Sequence, residues 1–178
     1  LIRPILRGRD IKRYGYNWDN LWLINTHNGI KGVKPRININ EYSAVKAYLD
    51  QHWDKISKRA DKGDTPYNLR NCAYMEDFYK PKIVWGNLNL SAAYSIAADG
   101  IFVNAPCPMI VPASKYLLAI LNSKVADYYI RQLGVTRNGG YFEYKPMFVE
   151  NLPVPNNIDC KTIEYLEACV NSKDESSI

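Results

Sequence analysis

Long apolar runs, histidines and paired cysteines are what this 178-residue chain has little of. Its longest uncharged apolar stretch, residues 83–98, is interrupted by Asn87, Asn89, Ser91 and Ser95 and falls short of the roughly 20 residues that a membrane helix needs. No membrane partner is expected. Only His27 and His52 are present, and the four cysteines at 72, 107, 160 and 169 form no C-x-x-C pair, so no metal site is expected. The cysteines read as reduced thiols of a cytoplasmic protein. Leu1 is not a start methionine and nothing after it resembles a signal peptide, so the chain reads as a piece of a longer protein.

Catalytic patterns are missing as well. There is no G-x-S-x-G, H-E-x-x-H, phosphate-binding P-loop or dinucleotide fingerprint. His52 falls within a helical pattern and reads as a partly buried, satisfied side chain. Glu76-Asp77 reads as a solvated turn, and Glu143-x-Lys145, although it has a nuclease-like spacing, sits in an aromatic strand that favours packing. No catalytic residue is assigned, and whether the chain is an enzyme stays open.

What is present is a core-forming composition, 47% hydrophobic with 14 Tyr and 4 Trp, in a length that suits one domain. The net charge of +5 is unevenly spread: residues 1–36 hold eight Lys or Arg against Asp10 and Asp19. In "PILRGRDIKRYG", Arg7, Arg9, Lys12 and Arg13 face only Asp10. Such concentration attracts phosphates, although a basic edge strand that resists aggregation has the same composition. A loop carrying Lys31, Lys34 and Arg36 follows.

The patterning is α+β, a single mixed domain with a twisted, mostly antiparallel sheet and packed helices. Short strands flank a Tyr14–Asn20 turn. Asn40 reads as the cap of a helix that puts Tyr42, Val45, Leu49, Trp53 and Ile56 on one face and ends before Gly63. "PKIVWGNL" reads as a strand, "AAYSIAADGIFVN" as a hairpin turning at Asp99-Gly100, and "CPMIVP" as an edge or bulged strand. Ser114 caps a helix with Leu117, Leu118 and Leu121 inward. Ser123 caps a second, Lys124–Leu133, with Val125, Tyr128 and Tyr129 on its apolar face. A helix over about 162–170 precedes a polar end. The organisation expected is 1–155 as the main body and 156–178 as a C-terminal helix and tail.

"TRNGGYFEYK" unites Arg137 and Asn138 with two glycines. Arg and Asn suit bidentate contact with purine edges, and Gly139-Gly140 either let backbone approach a ligand or relieve a tight turn.

Four segments in order, "ILRGRDIKRYGYNWDNLWLI", "FYKPKIVWGNL", "YLLAILNSK" and "GGYFEYKPMFVENLPVP", resemble the TaqI-like C-terminal specificity domain, the target-recognition domain of class I adenine-N6 DNA methyltransferases and of fused restriction-modification enzymes. The resemblance implies recognition of double-stranded DNA without catalysis, beside a methyltransferase domain of the same chain. S-adenosylmethionine, and Mg²⁺ where a nuclease is fused, would belong to the parent protein, since the N-P-P-Y motif and cofactor loop of the family's catalytic domain are absent here. A half of a type I specificity subunit, a nuclease fragment and a protein-interaction domain are the rival readings. One arginine of the opening is expected to pair with Asp10, with Arg7, Arg9, Lys12, Arg13, Lys34 and Arg36 the candidates for backbone contact. Arg137, Asn138 and Tyr141 are the candidates near the bases.

Overall fold

The computed structural model describes residues 1–173, so the tail over 174–178 lies outside the described residues. In chain order the strands are β1 (Ile2–Leu6), β2 (Ile11–Lys12), β3 (Gly15–Tyr16), β4 (Trp22–Ile24), β5 (Lys82–Trp85), β6 (Leu88–Asn89), β7 (Tyr94–Ala97), β8 (Phe102–Val103), β9 (Met109–Ile110), β10 (Thr136–Arg137) and β11 (Tyr141–Glu143). The helices are α1 (Ser43–Asp50), α2 (Trp53–Ile56), α3 (Lys115–Asn122), α4 (Lys124–Leu133), α5 (Pro146–Val149) and α6 (Cys160–Ser172). Helices and several small, mostly antiparallel sheets make the class α+β. Contacts group the chain into one unit of residues 1–3 and 22–75 and another of residues 4–21 and 76 onward.

In the first unit, the buried Asn68 side chain donates to the carbonyl of Ile37 at 3.0 Å, while Thr26 Oγ1 donates to Tyr67 O at 2.6 Å. These bonds stitch residues 26–37 to residues 67–68. The expected long helix is broken. Asn38, not Asn40, caps the Ile39–Glu41 turn, and α1 stops before His52, which is exposed and leaves helical geometry at φ −111° and ψ 18°. No residue of α1 or α2 is fully buried: Val45, Leu49 and Ile56 are partly covered while Tyr42 and Trp53 are exposed, so the stripe gains little burial to hold one continuous helix across the break. Trp53 instead packs on Tyr67 with ring centres 5.4 Å apart.

The second unit is built around β7-β5-β9. Strand β5 is buried along its length and pairs antiparallel with β7 (Ile83↔Ile96) and with β9 (Ile83↔Ile110). The prolines flanking β9 suit its place at the edge. The Asp99-Gly100 hairpin does not form: β7 pairs with β5, whereas β8 pairs in parallel with β1 (Ile5↔Phe102). A two-residue type I′ turn needs positive φ at both central positions, and only Gly100, at 77°, has it.

Ser114 and Ser123 cap α3 and α4 as expected, accepting from the backbone N–H of Leu117 and Ala126 at 3.2 and 3.1 Å. Between them, Asn122 is fully buried. Its amide accepts from Tyr94 N–H and donates to Tyr94 O, both at 3.0 Å, substituting for a neighbouring strand beside β7. The core joins Trp85, Tyr94 and Tyr144 to Leu118, Leu121, Ile130 and Val170 of α3, α4 and α6. α6 is capped by Asp159, whose carboxylate accepts from Thr162 N–H at 3.0 Å.

α4 presents a different face from the one expected. Ala126 and Ile130 are buried, whereas Val125 and Tyr128 are 79% and 67% exposed and Tyr129 is also exposed. A polar anchor sets the rotation. Asp127 accepts from Ala92 N–H at 2.7 Å and from the Tyr144 hydroxyl, and Arg131 pairs with it at 3.1 Å. With Asp127 and Arg131 drawn inward, helical spacing sends Val125 and Tyr128 out.

Candidate nucleic-acid interface

Backbone crosses backbone where the second unit forms a cleft. Gly8, after β1, meets Gly86, after β5, and a Cβ built on either would stand 3.2 Å from the other's Cα. Above this crossing opens a cleft of about 840 Å³. Arg9 and Lys12 line it together with Arg137, Tyr141, Glu143 and Lys145, which brings the basic opening and the aromatic strand, distant in sequence, to one place.

The four basic residues of the opening divide into two kinds. Arg7 is committed to two carboxylates. Its Nε and Nη2 donate to Asp10 at 3.0 and 2.8 Å, and Nη2 reaches Asp19 at 2.6 Å. The Arg7 guanidinium holds the Asp10 carboxyl below its ordinary range, and Asp10 is 5% exposed. Arg13 donates from Nε and Nη2 to the carbonyl of Ala92 at 3.3 Å. Arg9 and Lys12 are exposed and make no hydrogen bond or ion pair among the described residues. The arginine that takes Asp10 is thus Arg7, while Arg9 and Lys12 face the cleft.

The loop between β6 and β7, which also lines the cleft, is clamped from three sides. Asp127 holds the N–H of Ala92, Arg13 holds its carbonyl, and Arg131 donates to Leu90 O at 2.5 Å while lying 4.5 Å from the Phe142 ring centre. Asn87 lines this cleft, and its Oδ1 is buried without a hydrogen-bond donor among the described residues. Such a group costs about 1–3 kcal/mol.

β10, β11 and β6 form one antiparallel sheet, with Arg137 opposite Tyr141 and Glu143 opposite Leu88. The turn between β10 and β11 uses Gly139 and Gly140 at φ 78° and 79°, and a Cβ on Gly140 would meet open space. The two glycines therefore serve the turn. Asn138 opens it, exposed, and does not line the cleft. Glu143 is buried, but as an ionic anchor: Arg137 Nε donates to Oε1 at 2.6 Å, Arg137 Nη2 pairs with the same oxygen, and Lys145 Nζ lies 2.8 Å from Oε2. Lys145 and Arg137 hold the carboxyl below its ordinary range. The cleft thus carries four cations against one carboxylate, which is itself fully engaged.

Lys34 and Arg36 belong to the other unit, in the loop over 28–36, which lines a separate cavity of about 910 Å³ there. Arg36 pairs with Asp64 at 3.0 Å. Gly29 has φ 79°, and a Cβ on it would come 2.5 Å from Lys34 O, so only glycine closes this loop. His27 is buried, and its Nδ1 accepts from Gly29 N–H at 3.1 Å. Asp77 pairs with Lys80 at 2.7 Å, and no group of three or more His, Cys, Asp or Glu suited to a metal occurs among the described residues. No helix among them is long and apolar enough to cross a membrane.

The sequence that builds this cleft is that of a known class. The family description of the TaqI-like C-terminal specificity domain matches residues 3–154, and the chain belongs to that family. Among curated proteins it is 23% identical over 96% of its length to the type II methyltransferase M.BanIII of Aneurinibacillus aneurinilyticus. It is 22% identical over 88% of its length to the type II methyltransferase M.BstVI of Geobacillus stearothermophilus. The matched parts are 31% and 28% of those proteins, so the chain spans about a third of the length of these relatives.

Proposed function

We propose that this chain is the DNA-reading domain of a restriction-modification methyltransferase that acts on adenine N6. The observation that carries this reading is the cleft in which Arg9 and Lys12, uncommitted to any carboxylate, share a wall with Arg137 and Tyr141. Lysine and arginine on phosphates fix register, while an arginine beside an aromatic ring at a rigid strand end suits a base edge. Family membership and the similarity to two type II methyltransferases support the same reading. Arg7 and Arg13 hold the frame, Asn138 is a candidate for a contact beside the cleft, and Lys34 and Arg36, in the other unit, are candidates for phosphate contact on their own.

S-adenosylmethionine fits the cleft poorly. Ribose hydroxyls call for a free carboxylate, and Glu143 is already taken by Arg137 and Lys145. The cofactor and methyl transfer are assigned to a catalytic domain of the same longer protein.

The reading is tested by incubating the chain with a randomised duplex library at moderate salt and sequencing the bound fraction. Enrichment of one short sequence is the expected result. Binding without enrichment at any salt concentration, or none at all, overturns it.

A further inference from the structure

We infer that Glu143 is a specificity-determining positioning residue, which holds Arg137 so that its outer edge reads a guanine in the major groove. The inference rests on the reading of the chain as a DNA-binding domain and goes beyond it by naming the base and the residue that aims the reader.

Arginine has five N–H donors. Glu143 Oε1 takes the Nε–H and one donor of Nη2, leaving both Nη1 donors and one on Nη2. That remaining edge has the spacing of two acceptors side by side, and among base pairs the major-groove edge of guanine presents such a pair, O6 and N7. The partners are fixed very unequally. The Glu143 side chain is 5% exposed and tethered at both oxygens, whereas that of Arg137 is 55% exposed in the cleft. Tyr141 and Glu143, two residues apart on β11, point to the same face, and Arg137 lies opposite Tyr141 on β10, so the three share one face of a sheet. The backbone beneath is constrained as well: Glu143 N–H donates to Val135 O at 3.2 Å, and a Cβ on Gly134 would come 2.8 Å from Glu143 O. A long side chain that would otherwise lose rotamer freedom on meeting DNA is thereby held in place beforehand.

The test uses the sequence enriched by the chain and all single-base variants of it, with affinities measured for the native chain, Arg137→Ala, Glu143→Gln and the double variant. Both single variants are expected to lose discrimination at one and the same G·C pair, by about tenfold or more, and the double variant to lose no more than either. Affinity for unrelated duplex should not fall in Glu143→Gln, since the change removes a negative charge. A uniform gain for every duplex would reduce Glu143 to a general charge effect, and a uniform loss with a lower melting temperature would reduce it to scaffold; either overturns the inference while leaving the proposed function standing. Absence of enrichment by the native chain overturns both.

Discussion

Gly8 and Gly86 cross backbone against backbone, each so close that a Cβ would stand 3.2 Å from the other's Cα. The crossing locks the basic opening onto the central strand and sets the depth of the cleft above it. Neither neighbour is a side chain that can swing away. Gly86→Ala should therefore cost about 1–3 kcal/mol. Gly15→Ala, where a Cβ would meet nothing within 4 Å, should cost much less in the same denaturant titration.

Asp127 joins three elements: the N–H of Ala92, the hydroxyl of Tyr144 and the guanidinium of Arg131. Asp127→Ala leaves the first two without their acceptor in a part-buried setting and frees α4 to rotate. A loss of about 2–4 kcal/mol is expected in chemical unfolding. A variant within 0.5 kcal/mol of the native chain, roughly the range of surface changes, would show that apolar packing alone sets the face of α4.

Lys82 is fully buried, and its Nζ donates to the carbonyls of Phe78, Lys80 and Ala98 at 2.9, 3.0 and 2.8 Å. Burial pushes the amine down to about 8 from an ordinary 10.5. Between those values the unfolded chain holds a proton that the folded chain has released, so stability rises with pH across the window, by up to about 1.4 kcal/mol per unit. Below pH 8 both states are protonated and the slope fades. Unfolding free energies from pH 7 to 10 should show this rise, and Lys82→Met should remove it. Equal slopes in the two proteins would assign the pH dependence to other groups.

Local chemistry was legible in the sequence; choices made by tertiary contacts were not. Ser114 and Ser123 cap their helices because a cap depends on three neighbouring residues, and the β9 prolines mark an edge because each lacks a donor. The face of α4 was misread because periodicity weighs apolar side chains, whereas Asp127 turns the helix through Ala92 and Tyr144. The break at His52 follows from the absence of buried partners, which a local pattern does not report. Of the site, Arg9, Lys12, Arg137 and Tyr141 stood out as residue types, but their meeting in one cleft depends on the glycine crossing. Asn87 and Gly86 carried no warning. Glu143 read as a packing residue; it is buried because two cations neutralise it, a signal visible only as Arg137 and Lys145 on the same hairpin.

The division within the basic opening is open to a salt titration. Lys12→Ala should flatten the dependence of duplex affinity on salt by about 0.9 in log–log slope and weaken all sequences alike. Arg13→Ala, which releases the Ala92 carbonyl, should chiefly lower the melting temperature. An unchanged slope for both Lys12→Ala and Arg9→Ala would clear the cleft's basic wall of a phosphate role.

The cleft as the place where DNA is held is tested most directly by backbone amide exchange, mapped with and without a saturating duplex of the enriched sequence. Protection should concentrate at Gly8–Lys12, at Asn87–Ser91 and at Thr136–Glu143, the segments that line or flank the cleft. Protection confined to the loop over 28–36 or to the outer face of α4 around Val125 and Tyr128, with those three segments unchanged, would contradict the account.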